Sequence, residues 1–154
     1  MTAVAIRRDD LQGPAIVALL AEHLAQMQAE SPPESVHALD LRALRQPEVQ
    51  LFSAWAGDDL LGCGALKRLS ATHAEIKSMR TTAAARRRGV ARALLAHLVD
   101  TARAQGVQRL SLETGSEPAF APARALYAQA GFVACEPFDG YGPDPNSVFM
   151  TRLL

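Results

Sequence analysis

The stretch RTTAAARRRGVARALLAHL, residues 80–98, sets three arginines and one glycine directly before an apolar pattern of helical period. A solvated surface or a nucleic-acid patch would use the arginines and leave Gly89 without a purpose. A helix that begins at a glycine-containing turn offers backbone N–H groups with no intrahelical partner, and its dipole adds partial positive charge there. Such an end binds phosphate. Gly89 removes the Cβ that would hold a diphosphate away from the backbone, Ala91 keeps the next turn small, and Arg86, Arg87 and Arg88 add charge-assisted contacts. The stretch lacks the Gly-Lys-Ser/Thr ending of a P-loop and the three spaced glycines of a dinucleotide fingerprint, so neither nucleotide site is expected.

From Arg88 to Gln105 the residues Val90, Ala91, Leu94, Leu95, Leu98 and Ala102 share one face and Arg92, Asp100 and Arg103 the other. This predicts an amphipathic helix stopped by Gly106. Upstream, HAEIKSMRT (73–81) predicts a strand in which Glu75, Lys77, Met79 and Thr81 alternate with Ala74, Ile76, Ser78 and Arg80. Before it, VQLFSAWAGDDLLGCGALKRL predicts two strands joined at Gly57-Asp58-Asp59. Val4 to Arg7 reads as a first strand, and Asp9-Asp10 are expected to cap a helix running toward Ala29 on Leu20, Leu24 and Met27. Ser31-Pro32-Pro33 breaks it, and a second, shorter helix is expected from Glu34 to Leu44, with Pro47 as its stop.

Downstream, VQRLSLET predicts a compact strand and PAFAPARALYAQAGF a short helix ended by Gly131. Two more strands are expected near Phe132 to Phe138 and Ser147 to Leu153, around DGYGPDPN, a turn-rich loop suited to a substrate contact. The order βααβββαβαββ is that of one α/β domain over residues 1–154, an antiparallel meander leading into a β-α-β crossover.

Lys+Arg and Asp+Glu each count 16, and this zero balance argues against nucleic acid as a partner. Hydrophobic residues at 49% and charged residues at 21% exclude a disordered chain. No apolar run reaches the roughly 18 residues of a membrane span, so a cytoplasmic protein with no membrane partner is expected. Cys63 and Cys135 are too few for a paired zinc site and read as buried apolar fillers in a reducing compartment. His23, His37, His73 and His97 lack metal-ligand spacing; they are expected to be solvated or capping, and no metal is expected.

Arg86-x-x-Gly89-x-Ala91, after a strand and opening a helix, resembles the Gln/Arg-x-x-Gly-x-Gly/Ala signature of the GNAT superfamily of N-acetyltransferases. HAEIKSMRT and RLSLET resemble the family's strands on either side of that helix, and ARALYAQAGF its Ala-x-x-Leu-Tyr-x-x-x-Gly-Phe segment. The ending DPNSVFM is similar to a small bacterial subgroup labelled YsnE-like. The resemblance implies an α/β, GNAT-like acyl-CoA N-acyltransferase fold: a mixed, mostly antiparallel sheet of about six or seven strands with about four helices. It implies acetyl-coenzyme A as cosubstrate, held by Met79, Arg80 and Thr81 along its pantetheine arm and by Arg86, Arg87, Arg88, Gly89, Val90, Ala91 and Arg92 around its pyrophosphate. It departs from the family at Phe120, where many members carry an asparagine seven residues before the tyrosine.

Acetyl transfer to an amine requires removal of the amine proton, polarisation of the thioester carbonyl and protonation of the departing thiolate. By the resemblance, Tyr127 is the general acid. Glu75 stands eleven residues before Arg86, the spacing of the catalytic glutamate in the histone acetyltransferase branch, and is the candidate base. Glu113 is its substitute, and Tyr141 and Glu113 are candidates to face substrate. The implied reaction is direct attack by a primary amine, of a small molecule, in a ternary complex. A protein N-terminus or lysine as acceptor, a noncatalytic acyl-coenzyme A sensor and a homodimeric state all stay open at this level.

Overall fold

The computed structural model describes residues 3–154. Its elements follow the expected order: β1 (Ala5–Arg8), α1 (Pro14–Glu30), α2 (Leu41–Leu44), β2 (Val49–Ala56), β3 (Asp59–Arg68), β4 (His73–Thr81), α3 (Val90–Ala104), β5 (Arg109–Gly115), α4 (Ala121–Gln129), β6 (Val133–Ala134) and β7 (Ser147–Leu153). The strands form one seven-stranded sheet in the order β1-β2-β3-β4-β5-β7-β6. Only β4 and β5 pair in parallel, because α3 carries the chain back across the sheet between them. This is the GNAT acyl-CoA N-acyltransferase fold. Among the described residues, no helix is long and apolar enough to cross a membrane.

Two apolar layers hold the sheet. On one face Leu94, Leu95, Leu98, Val99 and Ala102 of α3 pack with Leu126 and Tyr127 of α4 over Ile76, Leu110, Leu112 and Met150. On the other, Ile16, Leu19 and Leu20 of α1 cover Leu51, Cys63 and Ala65. The helical period of α3 and the alternation of the strands thus meet in one core.

Four local expectations are corrected. Asp9 and Asp10 do not cap α1; each accepts a hydrogen bond from the backbone N–H two residues on, and the helix begins at Pro14 after Gly13. An Asp with a free N–H two residues away closes an Asx turn as readily as a helix cap. The helix expected over Glu34 to Leu44 is a single 3-10 turn, Pro33–Ser35, then extended chain and the four-residue α2, capped by Asp40 through the Ala43 N–H at 2.9 Å. The strand expected near Phe132 to Phe138 pairs only at Val133 and Ala134.

The fourth correction shapes the site. Strict alternation in β4 would put Met79 on the face of Glu75 and Arg80 opposite. Instead Cys63 pairs with Arg80 while Ala65 pairs with Lys77, so β4 holds one extra residue against β3, and Ser78 lies at φ 56°. This bulge turns Met79 to the α3 layer and puts Arg80 on the same face as Glu75 and Lys77.

Candidate functional site

The parallel ladder between β4 and β5 ends at the pair Ile76 and Leu112. Beyond it, Lys77 to Thr81 and Glu113 to Gly115 are not paired with each other, and the sheet is open between them. A cavity of about 230 Å³ uses this opening. It reaches from His23, Gln26 and Glu30 on α1, past Glu75, Lys77, Arg80 and Glu113, to Phe120, Ala123 and Tyr127 near α4. Side chains from both faces of the sheet therefore meet in one space.

Glu75 is 2% exposed. Its Oε2 accepts hydrogen bonds from Tyr141 Oη at 2.5 Å and from Lys77 Nζ at 3.2 Å, and Lys77 also donates to Tyr141 Oη at 2.8 Å. A buried carboxylate needs such partners, since an unpaired charge out of water is strongly unfavourable. The Tyr141 hydroxyl is held well above the usual phenol range by burial and by the Glu75 carboxylate beside it. Lys77 shares Glu75's face in the strand pattern, yet its position beside a carboxylate carried no functional mark in the sequence. Tyr141 arrives from the loop after β6, and nothing in the sequence pairs the two.

Glu113 projects from β5 on the same face, and burial pushes its carboxyl up to about 7, with nearby Lys77 pulling the other way. Tyr127 is 6% exposed, its ring edge-on to Phe132. Burial first, and Glu113 second, raise its hydroxyl, so that it keeps its proton at neutral pH. Phe120 lies against the end of β5: a Cβ built on Gly115 would fall 2.2 Å from the Phe120 ring, so glycine is required there. The ring occupies apolar space at the mouth of the opening, where an asparagine would offer a polar contact.

The turn ahead of α3 lies at the outer end of β4. Arg86, Arg87, Arg88 and Gly89 are exposed, Arg87 and Gly89 have φ of 64° and 79°, and no side chain caps the helix. Its first N–H groups are free for an anion. Val90 is anchored in the core beside Leu94, so only its backbone serves this end, and Arg92 donates to Gln129 Oε1 at 3.2 Å. Arg80 turns toward α1, where it bonds to Gln26 and, at 2.5 Å, to Glu22. Met79 packs into the α3 layer and Thr81 pairs with Gly62, leaving their backbones along the opening.

The histidines are not simply solvated. His23 is buried and lowered to about 4 by desolvation and by Arg80. His73 lies 2.7 Å from Ser111 Oγ, His97 packs edge-on to Phe52, and His37 meets the Tyr141 ring at 89°. Cys63 is fully buried, its thiol pushed up to about 12 by desolvation, which removes it as a nucleophile. Cys135 is only partly buried. No cluster of metal-ligating side chains occurs among the described residues.

The DGYGPDPN loop was expected, but what holds it was invisible in sequence. Ser35 Oγ donates to Asp144 Oδ2 at 2.6 Å, Asn146 Nδ2 donates to Ser35 Oγ at 3.4 Å, and Asn146 N–H donates to Asp144 Oδ1 at 2.8 Å. The DGYGPDPN segment is thereby tied to the turn after α1.

Comparison with known proteins shows the family and the fold. The model of the "Acetyltransferase (GNAT) family" matches residues 16–132. The chain is 57% identical to the uncharacterized N-acetyltransferase YsnE of Bacillus subtilis (strain 168) over 149 residues, 97% of this chain and 99% of that one. It is 48% identical to the uncharacterized N-acetyltransferase YedL of Escherichia coli (strain K12), over 97% and 94% of the two chains. A Bacillus subtilis acetyltransferase solved in complex with CoA has the same fold, with a TM-score of 0.71 at 15% identity over 99% of each chain.

Proposed function

The chain belongs to the acetyltransferase (GNAT) family and is an acetyl-coenzyme A-dependent acyltransferase; on that premise we propose that it acetylates the primary amine of a small molecule by direct attack in a ternary complex. The observation that carries the small-molecule reading is the tie between Ser35 and the loop at Asp144 and Asn146, which joins two segments, at Ser35 and Asn146, that line the cavity. A peptide acceptor would need an open groove there. A cytoplasmic setting fits the two unpaired cysteines.

The open edge of β4 and the uncapped start of α3 fit the donor. The backbones of Met79, Arg80 and Thr81 would hold its arm, and the N–H groups from Gly89 to Arg92, with Arg86, Arg87 and Arg88, its pyrophosphate. When bound, acetyl-coenzyme A supplies an activated thioester carbonyl. Glu75, fixed through Oε2, keeps Oε1 to receive the amine proton, directly or through water. Tyr127 holds a proton on Oη for the departing thiolate. Phe120 and Asn146 of the tied loop would line the space around the exchange.

A second reading gives the base role to Glu113. Its carboxyl near 7 is matched to proton transfer at neutral pH, which is the property a general base needs. Free-thiol release from acetyl-coenzyme A against small amines, amino acids and peptides tests the main proposal. Turnover with small amines or amino acids is expected; turnover confined to peptides would overturn it.

A further inference from the structure

Six buried side-chain polar atoms among the described residues have no hydrogen-bond partner, and three of them belong to residues on one wall of the cavity: His23 Nδ1, Ser78 Oγ and Arg80 Nε. All three side chains are buried, His23 and Ser78 at 8% exposure and the Arg80 side chain at 9%. Leaving such groups unpaired is unfavourable by an amount comparable to a hydrogen bond each, so the wall is built for a partner.

The chemistry of that partner follows from the donors. Arg80 uses two of its terminal nitrogens on Gln26 and Glu22, which fixes the plane of the guanidinium and leaves Nε–H unengaged. Ser78 adds a hydroxyl, and the bulge at φ 56° brings it to the same strand segment as Arg80. His23, on the same helix as Glu22 and Gln26, stays neutral beside Arg80 and has one N–H to give. A planar anion matches a guanidinium edge with a hydroxyl and an imidazole beside it. The acidic groups of the cavity are placed otherwise: Glu75 is held by Lys77 and Tyr141, Glu113 lies on β5 and Glu30 ends α1, while Glu22, the carboxylate paired with Arg80, lies outside the cavity lining and is more than half exposed.

We propose that His23, Ser78 and Arg80 form a subsite for a carboxylate of the acetyl acceptor, so that the acceptor is an amino acid or a similar amino carboxylate. The inference rests on the small-molecule acetyltransfer reading and narrows it. The acceptor carries its anion against the α1 and β4 wall and its amine toward Glu75 and Glu113. The subsite contributes binding and orientation; the reacting atoms lie elsewhere.

The test compares matched acceptors on the full chain with saturating acetyl-coenzyme A: leucine against isoamylamine, phenylalanine against phenethylamine, and the carboxamide of each amino acid. The carboxylate form is expected to lead its decarboxylated partner by about 10- to 100-fold in kcat/KM, the worth of one charged hydrogen bond. The carboxamide controls for amine ionisation, because its less basic amine is more neutral at the same pH and should otherwise react faster. Arg80→Gln, and separately Ser78→Gly, which accepts the positive φ, should shrink the ratio through KM. A ratio near one for every pair that turns over would overturn the subsite and leave acetyltransfer standing. If no acceptor turns over, the small-molecule reading fails, and the subsite is judged by saturation-transfer NMR of N-acetyl amino acids against N-acetyl amines on the CoA-loaded chain. Equal binding there would overturn it.

Discussion

Tyr141 Oη and Glu75 Oε2 lie 2.5 Å apart although 66 residues separate them in sequence. The contact joins the loop after β6 to the middle of β4, and Lys77 bonds to both partners. Three groups that would be unstable alone in the interior are stable together, because each satisfies the others.

Removing one member exposes that dependence. Lys77→Met leaves the Glu75 carboxylate buried without its cation and is expected to destabilise the fold by about 3–5 kcal/mol. The double variant Glu75→Gln with Lys77→Met should recover most of the loss. Urea unfolding of the set measures both; additive losses would show that the pair is not coupled.

Glu75→Gln should depress kcat/KM most at low pH, where few acceptor amines are already neutral, and the loss should shrink as the amine's own pKa is approached. The same profile for Glu113→Gln separates the two base readings. Whichever variant shows the pH trend identifies the proton acceptor, and a uniform loss in both would move the role to water.

Tyr127→Phe removes a hydroxyl and little packing. Turnover should fall by about 100-fold, with coenzyme affinity nearly unchanged by calorimetry. An unaltered kcat, under conditions where chemistry limits the rate, would make the tyrosine a structural residue only.

Gly89 and Gly106 bracket α3 with φ of 79° and 83°, and a Cβ at either would meet nothing within 4 Å. Valine at each position therefore brings a similar left-handed strain, on the order of 1–2 kcal/mol. Only Gly89→Val should weaken coenzyme binding, by about tenfold or more. Equal affinities for the two variants would remove the pyrophosphate from this turn.

Two groups in the cavity bend stability with pH in opposite directions. Glu113 is raised from 4.5 to about 7, so the folded state binds the extra proton and stability falls as pH rises through that window. His23 is lowered from 6.5 to about 4, so the unfolded state binds the extra proton and stability falls as pH drops from 6.5 toward 4. Glu113→Gln should leave a stability that rises with pH between about 4 and 6.5, and His23→Gln one that falls over about 4.5 to 7. Guanidinium unfolding across pH 4–8 checks the two signs, and matching slopes in both variants would contradict them.

Local patterning made the element order legible. The helical period from Val90 to Ala102, the alternation of β2 to β5 and the stop at Gly106 each depend on residues within a turn or two, so the backbone's own preferences suffice to read them. The uncapped turn proposed for the pyrophosphate was legible for the same reason, since Arg86 to Ala91 are contiguous. Glu75, Glu113, Tyr127 and Tyr141 were singled out as types, but their convergence was not. It required the β4–β5 ladder to stop at Ile76 and Leu112, which joins the two faces of the sheet. Ser78 and Arg80 took their places through a one-residue bulge that alternation cannot foresee. Asp9 turned away from capping α1 because its other oxygen, Oδ2, accepts from Ser53 at 2.6 Å, a partner 44 residues away. Side chains distant in sequence meet only where packing brings their strands and loops together, and a buried charge keeps its place there only if those neighbours satisfy it.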